Sequence, residues 1–488
     1  MKRTATLLVL ALTGCSGLFG IDFDKTDAAD GGAGGNGNGG ALPAGGAGGG
    51  FGGGALGGGG FGGGPECTPT TTTVTIEGNP TIKPVALRAT STGYVVVGNV
   101  EGTWKSITDR PFALYLDHAG VPTGSAIALT EGTTAVDAIV AGPNQDQVYV
   151  AGSADENGAG GPFNGWVHRI EPGTFNQTPV YISTSQAGLA SWDKYFTIAP
   201  NADGSRILAA GRCTASNLSF TGSGGAANFS SSIPMDAGTA WSCPTSFALD
   251  LGDGGRLTGG VIDVPHSTTS GISSTPDGVY LVGYTLGKDV NGVTTKAPNH
   301  WFLAKTNDAF LGTVEGVDVA ITSADPVGRP RPNISAFKAG ATHIDVASLT
   351  DSAQPSVWRI KRFNDQLMET GAQIDIVAAG GAELELPIHS TADGVAAVAI
   401  PLTSDGVKVG PTEMTNTVSS VAVRLDDNLD LVQLVLPSPE STLVRRALVE
   451  EHSMVMVGIA AAEDATIDGH PIMGLDTRIF FHRACRPE

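Results

Sequence analysis

The chain has 488 residues, rich in glycine (69) and proline (28), with 6% aromatic and only 16% charged side chains; this composition favours turns and short strands over long helices. Its 48 acidic and 28 basic side chains leave a formal charge of −20, a field that repels nucleic acid and anionic membrane faces. An apolar share of 41% is compatible with a substantial core.

The first element is a positive pair, Lys2 and Arg3, followed by the apolar run Leu7, Leu8, Val9, Leu10, Ala11 and Leu12. It reads as a signal peptide and is too short to span a bilayer as a helix. No later stretch approaches eighteen consecutive apolar residues, so no transmembrane helix is expected. Leu12-Thr13-Gly14-Cys15 resembles the lipobox of bacterial lipoproteins, which ends in a small residue followed by cysteine. The resemblance implies cleavage before Cys15, lipidation of its sulfur, and anchoring in which each buried CH₂ contributes about 0.8 kcal/mol. Ser16, where an aspartate would mark inner-membrane retention in enteric-type sorting, points to the outer membrane or cell surface.

Residues 31 to 64 contain 22 glycines and almost no side chain to bury, so this segment reads as a flexible tether. The stretch from Ser16 to Glu66 has a root-mean-square reach of roughly 35–40 Å. The expected organisation is a signal peptide over 1–14, a lipidated linker over 15–66 and one folded domain over 67–488.

That domain repeats. A run of small and branched residues ends in Gly or Ala at Tyr94–Gly98, Val148–Gly152, Ile207–Gly211, Val279–Gly283, His343–Ala347, Val395–Ala399 and Met454–Gly458. The steps between these ends run from 52 to 72 residues. A second strand follows each: Phe112–Asp117, Trp166–Glu171, Ser246–Asp250, Trp301–Lys305, Val357–Lys361, Val421–Asp426 and Arg478–His482. Thr92-Gly93, Asp203-Gly204, Asp277-Gly278 and Asp393-Gly394 are hairpin signals before four of the first strands. Residues 442 to 451 could be read as helix, but the register of the repeat predicts a strand and its turn.

The units resemble the repeats of bacterial seven-bladed β-propellers, best at Gly278–Gly283 and Trp301–Lys305. The resemblance covers about residues 68 to 488 and implies an all-β, seven-bladed β-propeller with no fixed catalytic residues. Small residues at the first strands' ends suit the crowded propeller axis. Thr73–Glu77 is expected to add a strand to the last unit.

Apart from Cys15, the cysteines are Cys67, Cys213, Cys243 and Cys485, an even number that suggests disulfides in an exported protein. Three pairings exist, and four free thiols are the alternative. A closed ring brings Cys67 and Cys485 together, at a chain-entropy gain on the order of 5–6 kcal/mol. Cys213 and Cys243 share one repeat, and a bridge between them would contribute roughly 3–4 kcal/mol.

Motifs for chemistry are scarce. No His-Glu-x-x-His, Cys-x-x-Cys or Gly-x-Ser-x-Gly occurs, and nothing implies a metal or cofactor. His168, His343 and His482 fall in strands, and His118, His300 and His470 at turns or strand edges. Asp426–Asp430 reads as a solvated turn, lacking the spaced acids and final glutamate of a calcium loop. The expected function is therefore binding or scaffolding, with the ring presenting loops to an envelope protein or glycan, and with the membrane engaged through acyl chains. An envelope enzyme acting on polysaccharide or peptide at the propeller mouth, and a structural surface protein without a ligand, are the alternatives.

Overall fold

The computed structural model describes residues 67–78, 80–129, 332–350 and most of 355–487; between 134 and 319 it describes mainly the strands, and only some of their side chains. Cys15 and Cys243 lie outside the described residues, as does the side chain of Cys213. Among the described residues there are strands and turns but no helix.

Among the described residues, pairing produces seven sheets of four or more antiparallel strands, in chain order. Their first strands are Thr81–Thr90, Thr134–Ala141, Lys194–Pro200, Ser267–Thr275, Asn333–Ala339, Ile388–Thr391 and Thr442–Val449. Each first strand contacts the first strands of the preceding and following sheets, and Thr442–Val449 contacts Thr81–Thr90. The first strands are thus innermost, the sheets radiate from a closed ring, and the arrangement is that of a β-propeller.

The core is a series of layers between neighbouring sheets. In the second strand of the first sheet, Val95 and Val97 pack toward the second sheet, while Tyr94 and Val96 pack toward the seventh. A strand buried on both faces needs no polar alternation, which is why these strands read as unbroken apolar runs.

Innermost strands have one edge without a ladder partner, and backbone groups there need acceptors from elsewhere. Side chains of the preceding inner strand supply them. Ile272 N donates to Thr197 Oγ1 (3.0 Å), Ala336 N to Ser273 Oγ (2.9 Å) and Ser390 N to Ser335 Oγ (2.9 Å). Val449 N donates to His389 Nδ1 (3.3 Å), a ring nitrogen in the place of a hydroxyl. At the closing step Arg446 Nε donates to the carbonyl of Val85.

The seventh sheet brings together the first and last strands of the described region. Thr70–Thr75 pairs antiparallel with Arg478–Cys485, and a disulfide joins Cys67 to Cys485 (Cα–Cα 5.6 Å). Residues 442 to 449 form the innermost strand of that sheet, so the strand reading of this segment holds.

The small residues of the repeat do not stand at the axis. They lie on second strands, and the reason for them is a bulge. Inner strands carry one extra residue at Val85, Asp137, Phe196, Ser270 and Arg445, next to the residues paired with Gly98, Gly152, Gly211, Gly283 and Gly458. On the other side Gly98, Gly152, Gly283 and Gly458 face Phe112, Trp166, Phe302 and Phe480. A Cβ on Gly98 would stand 2.4 Å from the Lys83 carbonyl and 2.6 Å from the Phe112 ring; on Gly458, 2.1 Å from the Leu443 carbonyl and 2.6 Å from Phe480. In the two units ending in alanine the pairing has no such bulge, and Ala347 and Ala399 face Ile360 and Val421. Bulge, glycine and aromatic ring therefore occur together as one packing solution.

Connections differ between the two ends of the ring. Turns from first to second strands span one to six residues, whereas links from second to third strands span four to 31. Antiparallel order places the long links at the end where the inner strands begin. Two of them send strands onto the preceding sheet: Asn217–Gly222 pairs with Gln177–Ser185, and Val407–Val409 with Glu369–Ala378. Arg478, which starts its strand, lies at this loop-bearing end, and Cys485 with Cys67 lies at the opposite, plain end.

Two outcomes follow for stability. Reduction, or the Cys67→Ala/Cys485→Ala pair, should destabilise the ring by up to about 5–6 kcal/mol, with hydrogen exchange rising first in Thr70–Thr75. Gly458→Ala should cost about 1–3 kcal/mol in urea denaturation, because backbone and ring must both give way.

Candidate functional site

Most cations at the plain end are structural latches between neighbouring sheets. Lys305 Nζ donates to the Asp365 carbonyl (3.0 Å). Arg362 forks onto Asp345 (2.7 and 2.9 Å) and also donates to the Asp427 carbonyl. Arg424 reaches the carbonyls of Ser453 (3.0 Å), Asp393 (3.0 Å) and Glu451 (3.1 Å). Arg483 Nη2 donates to Tyr94 Oη (2.5 Å), which in turn donates to Glu450 (2.5 Å). Lys305, Arg362 and Arg424, each following the apolar run of a third strand, thus bind a turn of the next sheet, whereas Arg483 binds a second-strand tyrosine of the next sheet.

A different cluster stands at the axial mouth of the loop-bearing end, where the sixth, seventh and first sheets converge. The bulge in Thr442–Val449 places two consecutive arginines, Arg445 and Arg446, inside the protein. The link before Ile388–Thr391 contributes Glu383 and Glu385. The Glu383 backbone is fixed by Trp358 Nε1, which donates to its carbonyl (3.0 Å), and by its own N–H, which donates to Ile400 (2.9 Å). Arg445 Nη1 donates to Glu383 Oε1 (2.8 Å), and Arg446 Nη2 lies 3.7 Å from Glu385 Oε1. Arg446 Nη1 also donates to the Arg445 carbonyl (2.6 Å).

Lys83, on the inner strand of the first sheet, completes the group. Its residue is exposed, yet the walls around its ammonium desolvate it and lower its pKa, aided by the charge of Arg445 and opposed by Glu383 and Glu385. Burial raises the Glu383 carboxyl, but Arg445 and Lys83, with Arg446 behind them, pull it below its ordinary value. Burial lowers Arg446 to about 10.

Farther along the inner strands, burial and the Arg88 charge press His389 down to about 3. Its Nδ1 accepts from Val449, so the ring is neutral and structural. His482 is similarly pressed to about 4 by burial and neighbouring His470, with its Nδ1 2.8 Å from Thr71 Oγ1 across the seam. His343 lies stacked on Phe337. His118 contacts the Ser91 carbonyl (3.1 Å). Asp426 Oδ1 accepts from Asn428 and Asp430 N–H (2.8 and 2.9 Å), an Asx turn whose acid is already satisfied. Among the described residues no three His, Cys, Asp or Glu gather as a metal site. None of the mouth residues stands out in the sequence; the one linear hint is the Arg445-Arg446 pair inside an otherwise apolar strand.

No protein-family model matches the chain, and no curated protein resembles it. Among solved structures it is similar to an acylaminoacyl peptidase of Pyrococcus horikoshii (10% identity, TM-score 0.41, 80% of this chain and 52% of that one). It is also similar to an ancestral GH74 enzyme (11%, 0.39, 79% and 47%) and to a polysaccharide lyase (10%, 0.36, 82% and 90%). The chain spans about half the length of the first two.

The two depressed histidines set a pH dependence. Below the free-histidine value of 6.5 the unfolded chain takes up protons that the folded chain refuses, so stability falls as pH drops from about 6.5 toward 4. The melting temperature should be lower at pH 5 than at pH 7, and the drop should be shallower in His389→Gln and His482→Gln.

Proposed function

We propose that the chain is a lipid-anchored envelope protein whose ring presents its loop-bearing end to a protein or glycan partner. The observation that carries this reading is the placement of Cys67, where the described region begins, beside Cys485. Cys67 and Cys485 lie together at the plain end, so a tether running from lipidated Cys15 would enter there. The long links and the charged mouth would then face away from the anchoring membrane. The exposed Met473 (71%) and Leu475 (72%) stand in one of those links. In the mouth, Glu383 is held ionised by arginine and lysine, which suits an acceptor in a binding site and not a proton donor for glycoside cleavage.

Cys15→Ser should abolish incorporation of an alkyne fatty acid and move the protein from the membrane fraction to the soluble one. Photo-crosslinkers at Lys105 and Met473, on the loop-bearing end, should capture envelope material, whereas those at Thr92 and Asp393, on the plain end, should not. Equal capture from both ends, or retention of the label by Cys15→Ser, would overturn the reading.

A further inference from the structure

We propose that Met473 and Leu475 form a preformed apolar knob for a protein partner whose surface offers an apolar pocket bordered by lysine or arginine. The inference rests on the reading that the loop-bearing end meets a partner. It deepens that reading by choosing protein over glycan and by assigning the contact to one loop.

The two residues stand in the long link between the second and third strands of the seventh sheet, Ser453–Ala460 and Arg478–Cys485. Among the described residues they are the most exposed large apolar side chains. A slack loop would fold such side chains back against the protein and remove them from water. This loop is not slack. Arg478 is fully buried at its base and donates to three of its carbonyls: Nε to Ile472 (3.1 Å), Nη1 to Asp476 (2.8 Å), and Nη2 to Ala462 (2.6 Å) and Ile472 (2.5 Å). Ile472 N donates in turn to the Ala465 carbonyl (2.8 Å). Ala465, Ile467 and Ile472 are packed in the core layer between the sixth and seventh sheets. Gly474, between the two tip residues, has φ +135°, and a Cβ there would stand 2.8 Å from Arg478 Cδ. The backbone on both sides of the tip is therefore fixed while its two side chains are held out in water. Little ordering remains to oppose association, the condition under which a small apolar anchor contributes most.

The surroundings of the tip select its partner. Between Ala461 and Thr477 the link carries four exposed acids, Glu463, Asp464, Asp468 and Asp476, and no lysine or arginine. An apolar tip on an acidic loop is complemented by an apolar pocket with a basic rim. The same acids oppose an anionic lipid surface, and a second copy of this chain would bring its own charge of −20. A sugar ring would find neither Trp nor Tyr in the link to stack on. Methionine, in contrast, is enriched where proteins meet proteins.

The test uses the full chain and a phage-displayed library of random dodecapeptides. The library is first depleted on Met473→Ser/Leu475→Ser, a double variant of unchanged charge whose melting temperature confirms its fold. Peptides that survive depletion should combine Leu, Phe or Trp with Lys or Arg. A synthetic copy should bind the unmutated chain about tenfold more tightly than the serine variant, or better. Asp468→Asn/Asp476→Asn should weaken that binding about threefold or more and flatten its dependence on salt. Vesicles of phosphatidylglycerol and phosphatidylcholine should not bind, and sedimentation should show no dimer that depends on the tip. An absence of survivors, survivors without basic residues, equal binding by the serine or asparagine variant, vesicle binding lost in the serine variant, or a dimer abolished by it would each overturn the proposal. If the tip fails while crosslinking from Lys105 persists, this assignment falls and the broader loop-end reading stands; if Lys105 also captures nothing, both fall.

Discussion

Closure of the inner ring is the constraint from which the rest follows. Each innermost strand turns an unladdered edge toward the axis, and its amides must find acceptors there. The solution is sequential: a hydroxyl or ring nitrogen on one strand serves an amide on the next, from Thr197 through Ser273, Ser335 and His389. Such a relay cannot be completed by an open row of sheets, whose last member would leave its polar edge unserved. The final step, in which Arg446 reaches the Val85 carbonyl, is made by a longer side chain. The seam is also where the sheet is completed by the chain's other end and locked by a crosslink.

The visibility of each part in the sequence tracks its burial. Second and third strands are packed on both faces, so Tyr94–Gly98 or Met454–Gly458 stand out as continuous apolar runs, and their recurrence makes the repeat readable. Inner strands do not. Ser267–Thr275 reads Ser-Thr-Thr-Ser-Gly-Ile-Ser-Ser-Thr, a sequence that resembles a loop, yet Thr269, Ser270, Ser273 and Ser274 are buried. Their hydroxyls work: Ser270 donates to the Pro332 carbonyl and Ser274 to that of Pro200, both at 2.5 Å. Bulges further break the two-residue alternation on which strand recognition relies. The glycine of the repeat is visible in the sequence but its cause is not, because the clash it avoids involves a distant upstream carbonyl, of Lys83 for Gly98 and of Leu443 for Gly458, and a distant downstream ring, of Phe112 and of Phe480.

The mouth was less legible still. Lys83, Glu383, Glu385, Arg445 and Arg446 come from three sheets and from opposite ends of the domain. No spacing rule relates them; only a ring that returns to its starting point makes them neighbours. The hairpin turns were the reverse case: Thr92-Gly93, Asp277-Gly278 and Asp393-Gly394 are local signals, and the positive φ of Gly93, Gly278 and Gly394 answers them directly.

The position of the crosslink has a mechanical consequence. Thr70–Thr75 is an outermost strand, and force applied to the chain before it would peel it from its neighbour one hydrogen bond at a time. Cys67 precedes that strand and is bonded to Cys485, at the end of Arg478–Cys485, which is flanked by partners on both sides. A pull on the N-terminal segment therefore bypasses the vulnerable strand and loads an interior one, whose two ladders share the strain in shear.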